Sequence, residues 1–380
     1  MQSPPRFAEW RWSRALLVMT VVGSLSIVAA ELAARIDDRV ERGIPLFATP
    51  SYESELLIRK DGIWQGRPHG RYKKWQLNAF GFRSPEITLA RRPGCPRVMI
   101  LGASEMFGLY ESRGRDFAAA LLAQLKSHGC YEVINAAMPG LGLTSARSYW
   151  NVKLAAFRPD VVLFYPTPSW SFEDPAPAHP PAAAERKPEN QPQAAPVRFK
   201  SRLIDRLSEF VHTPAVIDDW RLRRALAATV RAHPAGWVQQ EPPAADLAAF
   251  ETQLLALVTD IQASGTQLIL MTHARRTTPA TLAQHPHEAL WMSSGAPYIT
   301  PAAQLAFEVL ANDYIRTLAN TRRIPLLDLD RLLTGCLECF ADGAHFTDQG
   351  AARAAAAATT MIQGSQLGTV AGSASRGPPC

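Results

Sequence analysis

A concentrated basic surface is missing from this chain. Its 40 Lys and Arg residues against 34 Asp and Glu leave a formal net charge of only +6. No Lys/Arg stripe interleaved with aromatics appears, which argues against a nucleic-acid partner. A metal-ligand set is missing too. Cys336 and Cys339 form a Cys-x-x-Cys, but no second ligand pair of comparable spacing accompanies them, as zinc would want. His69, His128, His179, His212, His233, His285 and His287 show no ligand-like spacing either. A dinucleotide fingerprint is incomplete: Gly140-x-Gly142-x-x-Ser145 lacks the third glycine, follows a second rather than a first strand, and has no acidic ribose partner downstream. Neither a metal nor an organic cofactor is expected.

With 380 residues and 47% hydrophobic content, the chain can bury one sizeable core plus appendages. Arg6, Arg11 and Arg14 precede an uncharged run from Ala15 to Ala30. Positive charge before an apolar segment predicts a cytoplasmic N-terminus, residues 1–14, with the bulk of the chain exported. The run is short for a span, which wants about 20 apolar residues, and Val28-Ala29-Ala30 also reads as a signal-cleavage site. The helical pattern continues through Leu32, Ala33 and Ile36, so residues 15–36 are expected to be an uncleaved signal anchor. That expectation makes the protein a single-pass inner-membrane protein with its main domain in the periplasm or extracytoplasmic space. Cysteine usage, five residues in all, agrees with export. Cys95 and Cys130 each precede an expected strand and would bridge if those strands are parallel neighbours. Cys336 and Cys339 read as a local structural disulfide, and Cys380 is left over.

Residues 37–92 read as a juxtamembrane segment of short strands and turns. Within it, Asn78-Ala-Phe-Gly-Phe-Arg83 is either a hairpin turn with a solvated Arg or a side wall of a cleft that binds substrate. From there strands and helices alternate. Strands are expected at Arg97–Leu101, Glu132–Asn135, Asp160–Tyr165, Gln267–Thr272 and Ile324–Leu329. Helices are expected near Asp116–Ser127, Ser145–Phe157, Ala244–Ala263, Ala302–Asn320 and on to Ile362. Such alternation predicts an α/β fold with a parallel sheet between two layers of helices. The domain spans residues 93–363. It is interrupted by a Pro/Ala-rich insert at 173–197 that cannot bury enough apolar surface to order, and by a helical insertion at 198–240, a lid or a cover over the sheet. Residues 364–380 read as a flexible tail.

Two stretches carry chemistry. Val98-Met-Ile-Leu-Gly-Ala-Ser104 is an apolar strand running into a turn, and α/β sheets bind ligands outside the carboxyl ends of their strands. A serine there is exposed, with its own N–H aimed at developing negative charge. Asp342-Gly-Ala-His345 is the second stretch. A carboxylate three residues before an imidazole can accept from Nδ1–H and leave Nε2 for a serine proton. Thr347 is placed to cap the helix that follows. His273, at a strand end, is a further substrate-binding candidate. Trp170 and Trp291 are candidate stacking surfaces, and Arg275 and Arg276 are expected to be solvated.

Taken together, Gly102-Ala-Ser104, the glycine turn at Met138-Pro-Gly-Leu-Gly142 and Asp342-x-x-His345 resemble the SGNH/GDSL hydrolase superfamily, over roughly Arg97–Ile362 minus the insert. The exported, membrane-anchored members are the nearest, through the likeness of Asn78–Arg83 to their Asn-x-x-Gly-Phe-Arg segment. The resemblance implies a three-layer, flavodoxin-like SGNH-hydrolase fold. It also implies Ser104 as nucleophile, His345 as general base and then acid, Asp342 as its orienting partner, and the N–H groups of Ser104 and Gly140 as oxyanion donors. Ala103 stands where the family has Asp, and Pro166-Thr-Pro-Ser-Trp170 lacks the family's third-motif Asn. Loss of one oxyanion donor costs about 2.7–4 kcal/mol, for which Thr167 or Ser169 would substitute. The implied activity is an esterase, or an O-acyltransferase, on O-acyl and chiefly O-acetyl groups of a cell-envelope or exported polysaccharide. The alternatives are a carbohydrate-binding scaffold of low turnover and a lipid-directed esterase. The expected partners are an acylated glycan and the membrane. No protein partner is indicated.

Overall fold

The computed structural model describes residues 7–42, 46–47, 51–172, 201–207 and 215–364. The insert expected at 173–197, the tail beyond Gly364 with Cys380, and the first six residues lie outside these. The chain divides into two compact units, Met1–Glu53 with Pro188–Ala215, and Ser54–Lys187 with Val216–Cys380.

The first unit is built on helix α1, Phe7–Arg42. Its Arg14–Val40 stretch is long and apolar enough to cross a membrane, and none of its most apolar window is buried. Where α1 turns polar, it holds a short helix, Arg202–Leu207, whose first turn has no backbone acceptors of its own. The Glu31 carboxylate accepts from the N–H groups of Arg202 (3.0 Å) and Leu203 (2.9 Å) and from the Ser201 hydroxyl (2.7 Å). Arg202 pairs with Asp38 at 3.3 Å, and Arg206 bridges Asp37 and Asp38. The start of the helical insertion therefore packs on α1. Within the second unit, the next insertion helix, Ala215–Arg231, meets helix Pro286–Gly295 through an Asp219–His287 contact.

The second unit is a five-stranded sheet, formed by β1 (Arg97–Gly102), β2 (Glu132–Asn135), β3 (Val161–Tyr165), β4 (Gln267–Met271) and β5 (Leu326–Leu327). All neighbours are parallel, in the spatial order β2-β1-β3-β4-β5. This is the flavodoxin-like 2-1-3-4-5 order, whose switch point lies beside the first strand. Successive side chains of a strand point to opposite faces, and here both faces are apolar. Val98 and Ile100 pack with Phe117, Leu121 and the alanines 351, 354, 355 and 358 on one side. Met99 and Leu101 pack with Tyr149, Trp150, Phe250, Leu257 and Phe307 on the other. The three-layer α/β fold is thereby established from the chain's own topology.

Two short antiparallel hairpins, Leu57–Gly66 and Arg71–Gln76, precede the sheet. The Cys95–Cys130 disulfide joins the segments that enter β1 and β2. Between them Arg97 is fully buried. It pairs with Glu132 at 2.8 Å, and its guanidinium donates to the carbonyls of Thr88, Leu89, Ala90 and Phe157.

Candidate active site

The β1 strand ends at Gly102, and a single helical turn, Ser104–Phe107, starts two residues later. Such a turn cannot satisfy its own last carbonyls, and side chains from elsewhere take them. Asn135, at the end of β2, donates to Met106 O at 2.9 Å. The Arg83 guanidinium donates to the carbonyls of Phe107 and Gly108, and Trp75 Nε1 donates to Gly108 O at 3.1 Å. Gly108 closes the turn at φ +88°, where a Cβ would stand 2.5 Å from the Arg83 guanidinium.

Arg83 also pairs with buried Asp116 at 3.1 Å, whose other oxygen caps helix Phe117–Lys126 through Ala119 N–H. Asn78 shapes the loop that delivers Arg83: its Oδ1 accepts from the N–H groups of Phe80 and Phe82, and its amide donates to Pro85 O. Both residues border a cavity of about 740 Å³ that neither Ser104 nor His345 lines. Arg83 thus supports the Ser104–Phe107 turn and Asn78 supports the loop that carries Arg83, and neither residue lines the cavity beside Ser104 and His345. Arg83→Ala is expected to cost about 3–5 kcal/mol, because it strands the buried Asp116 carboxylate. Chemical denaturation of the variant checks this.

The loop carrying Asp342 and His345 is pinned from several directions. Phe340 and Phe346 form an isolated antiparallel bridge, and Ala341 N–H donates to His345 O at 2.8 Å. A disulfide links Cys336 and Cys339. The carbonyl of Cys339 accepts from Thr347 N–H at 2.9 Å. Thr347 caps the next helix, Asp348–Gly364, accepting from Gly350 N–H at 3.2 Å. Gly350 is required there, since a Cβ would stand 2.0 Å from Cys339 O.

These two supports bring three side chains into line. The Ser104 hydroxyl donates to His345 Nε2 at 2.8 Å. His345 Nδ1–H donates to Asp342, 2.8 and 2.9 Å from its two oxygens. The Oδ1 atom of Asp342 also accepts from the N–H groups of Ala344 and His345. Burial works to raise Asp342, but the His345 bond and these N–H groups hold it below its ordinary value. Burial works to lower His345. The Asp342 bond and the charges of Asp342, Glu105 and Glu111 outweigh this and raise it. Tyr110 packs its ring 5.3 Å from the imidazole. An activated serine of this kind is equipped to attack an electrophilic carbon.

The other expected residues fall as follows. The Gly140 turn, at φ +75°, is tied to the end of β1 by Met138 N–H donating to Gly102 O at 3.1 Å. Thr167 is buried, and its one hydroxyl proton is engaged in donating to Glu105 at 3.2 Å. Ser169 borders a cavity of about 440 Å³ that opens beside Ser104 and His345. Trp291 borders it too; the Trp170 side chain lies outside what is described.

His273 also faces this cavity, but both its ring nitrogens are already bound, to Glu105 at 3.4 Å and Glu308 at 3.2 Å. Arg275 corrects the expectation of a solvated side chain. It is buried, bonded to Thr277 O and paired with Glu308 at 3.3 Å. Arg276 pairs with Glu288 at 2.9 Å. Glu105, Glu308 and Tyr110 carried no sequence signal. The spacing 105, 273 and 308 reveals nothing until β1, β3 and β4 lie side by side and helix Pro301–Arg322, which carries Glu308, packs against them.

No protein-family model matches the chain, and no curated protein matches it in sequence. Among solved structures it is similar to the lipase/acylhydrolase from Enterococcus faecalis, at 15% identity and a TM-score of 0.41, over 71% of this chain and 96% of that one. An acetylxylan esterase from Geobacillus stearothermophilus is similar at 13% identity and a TM-score of 0.40, over 70% and 94%. The acetyl xylan esterase AlAXEase is similar at 14% and 0.40, over 70% and 99%. Likenesses at this level do not decide the chemistry.

Proposed function

We propose that the chain is a membrane-anchored, extracytoplasmic serine esterase of SGNH/GDSL type, acting on O-acyl, chiefly O-acetyl, groups of a cell-envelope or exported polysaccharide. The observation that carries the reading is the unbroken hydrogen-bond chain from Ser104 through His345 to Asp342. Ser104 Oγ attacks the ester carbonyl while His345 Nε2 takes its proton. Asp342 holds the imidazole in the required tautomer and stabilises its charged form. The N–H groups of Ser104 and Gly140 receive the oxyanion. His345 then returns the proton to the departing alcohol, leaving an acyl group on Ser104. Water, activated by the same imidazole, cleaves it. A sugar hydroxyl in place of that water makes the enzyme an O-acyltransferase. The apolar stretch of α1, behind Arg6, Arg11 and Arg14, is the anchor and sets the orientation.

The test uses the full chain in detergent, with p-nitrophenyl acetate as substrate and a fluorophosphonate as a serine-directed label. Hydrolysis and labelling that both vanish in Ser104→Ala support the reading. Folded wild type that neither takes the label nor turns over the ester faster than the variant sinks it, and a carbohydrate-binding scaffold then becomes the better account.

A further inference from the structure

The residue after the nucleophile is a carboxylate. Glu105 is 3% exposed, sits in the same helical turn as Ser104 and borders the cavity. A negative group here opposes the charge that develops as an ester carbonyl is attacked, so its presence requires an account.

Its surroundings keep it ionised. Burial works against the charge, but the hydrogen bond and charge of His273, with His345 behind them, hold Glu105 below its ordinary value. His273 is in turn locked in place. Its backbone N–H donates to Asn312 Oδ1, and the Asn312 amide donates back to His273 O.

Each oxygen of Glu105 has one committed donor, and only Oε2 also faces the reacting serine. Oε1 accepts from His273 Nε2–H at 3.4 Å. Oε2 accepts from the Thr167 hydroxyl at 3.2 Å and lies 3.4 Å from Ser104 Oγ. Ser104 has a single hydroxyl proton, and the 2.8 Å bond to His345 Nε2 claims it. In the attacking arrangement, and in the acyl-enzyme where Ser104 has no proton at all, Oε2 keeps acceptor capacity beside the reacting centre. A buried carboxylate oxygen with the Thr167 hydroxyl as its one remaining donor favours a ligand that supplies another over one that cannot.

We propose that Glu105 is a specificity-determining residue whose Oε2 accepts a hydrogen bond from a free hydroxyl on the carbon next to the ester-bearing carbon of the substrate. The substrate class is then a partly acylated polyol, a sugar ring with an unmodified hydroxyl beside its O-acyl group. Such a donor shields the reacting carbonyl from the carboxylate. An isolated ester leaves the carboxylate facing the oxyanion. The aromatic rings of Trp291 and Tyr298 on the cavity wall offer apolar surface to the ring. The proposal rests on the esterase reading and narrows its substrate.

The experiment compares a monoacetylated methyl pyranoside with its deoxy counterpart, which lacks only the neighbouring hydroxyl, using the full chain in detergent. In wild type, kcat/KM is expected to fall by about 100-fold or more for the deoxy ester. In Glu105→Gln, whose amide presents N–H groups in place of an oxygen, the ratio is expected to shrink to a few-fold, and turnover of p-nitrophenyl acetate to rise. Equal turnover of the two esters by wild type overturns the proposal, whether or not the variant folds. So does a folded Glu105→Gln that keeps the full preference. Fluorophosphonate labelling of Ser104 separates these outcomes from failure of the esterase reading. No labelling and no turnover of any ester removes both.

Discussion

Replacing Ser104 with alanine is expected to lower kcat for ester hydrolysis by about a millionfold, with His345→Ala close behind and the double variant no worse than either. The expectation follows from the linear arrangement of the three groups. Ser104 Oγ and His345 Nε2 are already 2.8 Å apart, so neither works without the other. Asp342→Asn should cost about ten-thousandfold, because the amide holds the imidazole in the wrong tautomer. The pH profile carries an independent check. Only neutral His345 can take the serine proton, and its pKa is raised above the ordinary 6.5. The acid limb of kcat/KM should therefore turn above pH 6.5, with activity rising as pH increases through it. Glu105→Gln removes one of the charges that raise His345, so its limb should move to lower pH. Steady-state rates normalised by active-site titration, taken across the limb in wild type and variant, decide both points. A limb at or below pH 6.5 in wild type contradicts the assignment of His345.

How much of this was legible beforehand depends on the range over which each feature is encoded. The strand-to-helix turn at Ser104 is written within seven residues, and Asp342 lies three residues from His345; both short patterns speak for themselves. The layered sheet was legible because all four residues Val98–Leu101 are apolar, which is what burial on two faces requires. The edge strand was less clear. The stretch Ile324–Leu329 reads as a strand of six residues, but only Leu326 and Leu327 pair, against Leu270 and Met271. Helices Pro279–Gln284 and Pro286–Gly295 were not read from the sequence, though proline in the first turn of each, and the Thr278 cap before the first, are ordinary start signals. The cost was the cavity wall that carries Trp291. The burial of Arg275 has a long-range cause. Charge suggests solvent, and only a buried carboxylate from a helix 33 positions away makes burial affordable.

The same long-range cluster supports the second large effect, on stability. His273 is 1% exposed and stands between the carboxylates of Glu105 and Glu308. Burial alone would lower its pKa, but Glu308 and Glu105 together push it up to about 9. Because the folded value lies above the ordinary 6.5, folding binds a proton that the unfolded chain releases at neutral pH. The stabilisation is complete below pH 6.5 and is lost as pH rises through 9, on the order of 3 kcal/mol in all. On the other flank, Glu105 and Glu308 are both held below the ordinary carboxylate value of 4.5. Their contribution is present above pH 4.5 and falls away as acid titrates them. His273→Ala leaves two buried carboxylates without their shared cation, with Arg275 still beside Glu308 and only the weaker influence of His345 on Glu105. A loss of about 3–5 kcal/mol at neutral pH is expected. Thermal melts at pH 6 and pH 9.5 separate the charge from the packing. Wild type should lose stability between the two, while the variant, already less stable at pH 6, should lose much less. A wild-type melting temperature unchanged across that interval would mean that His273 is neutral in the folded protein. Glu105 would then lack the charge that keeps it ionised beside Ser104.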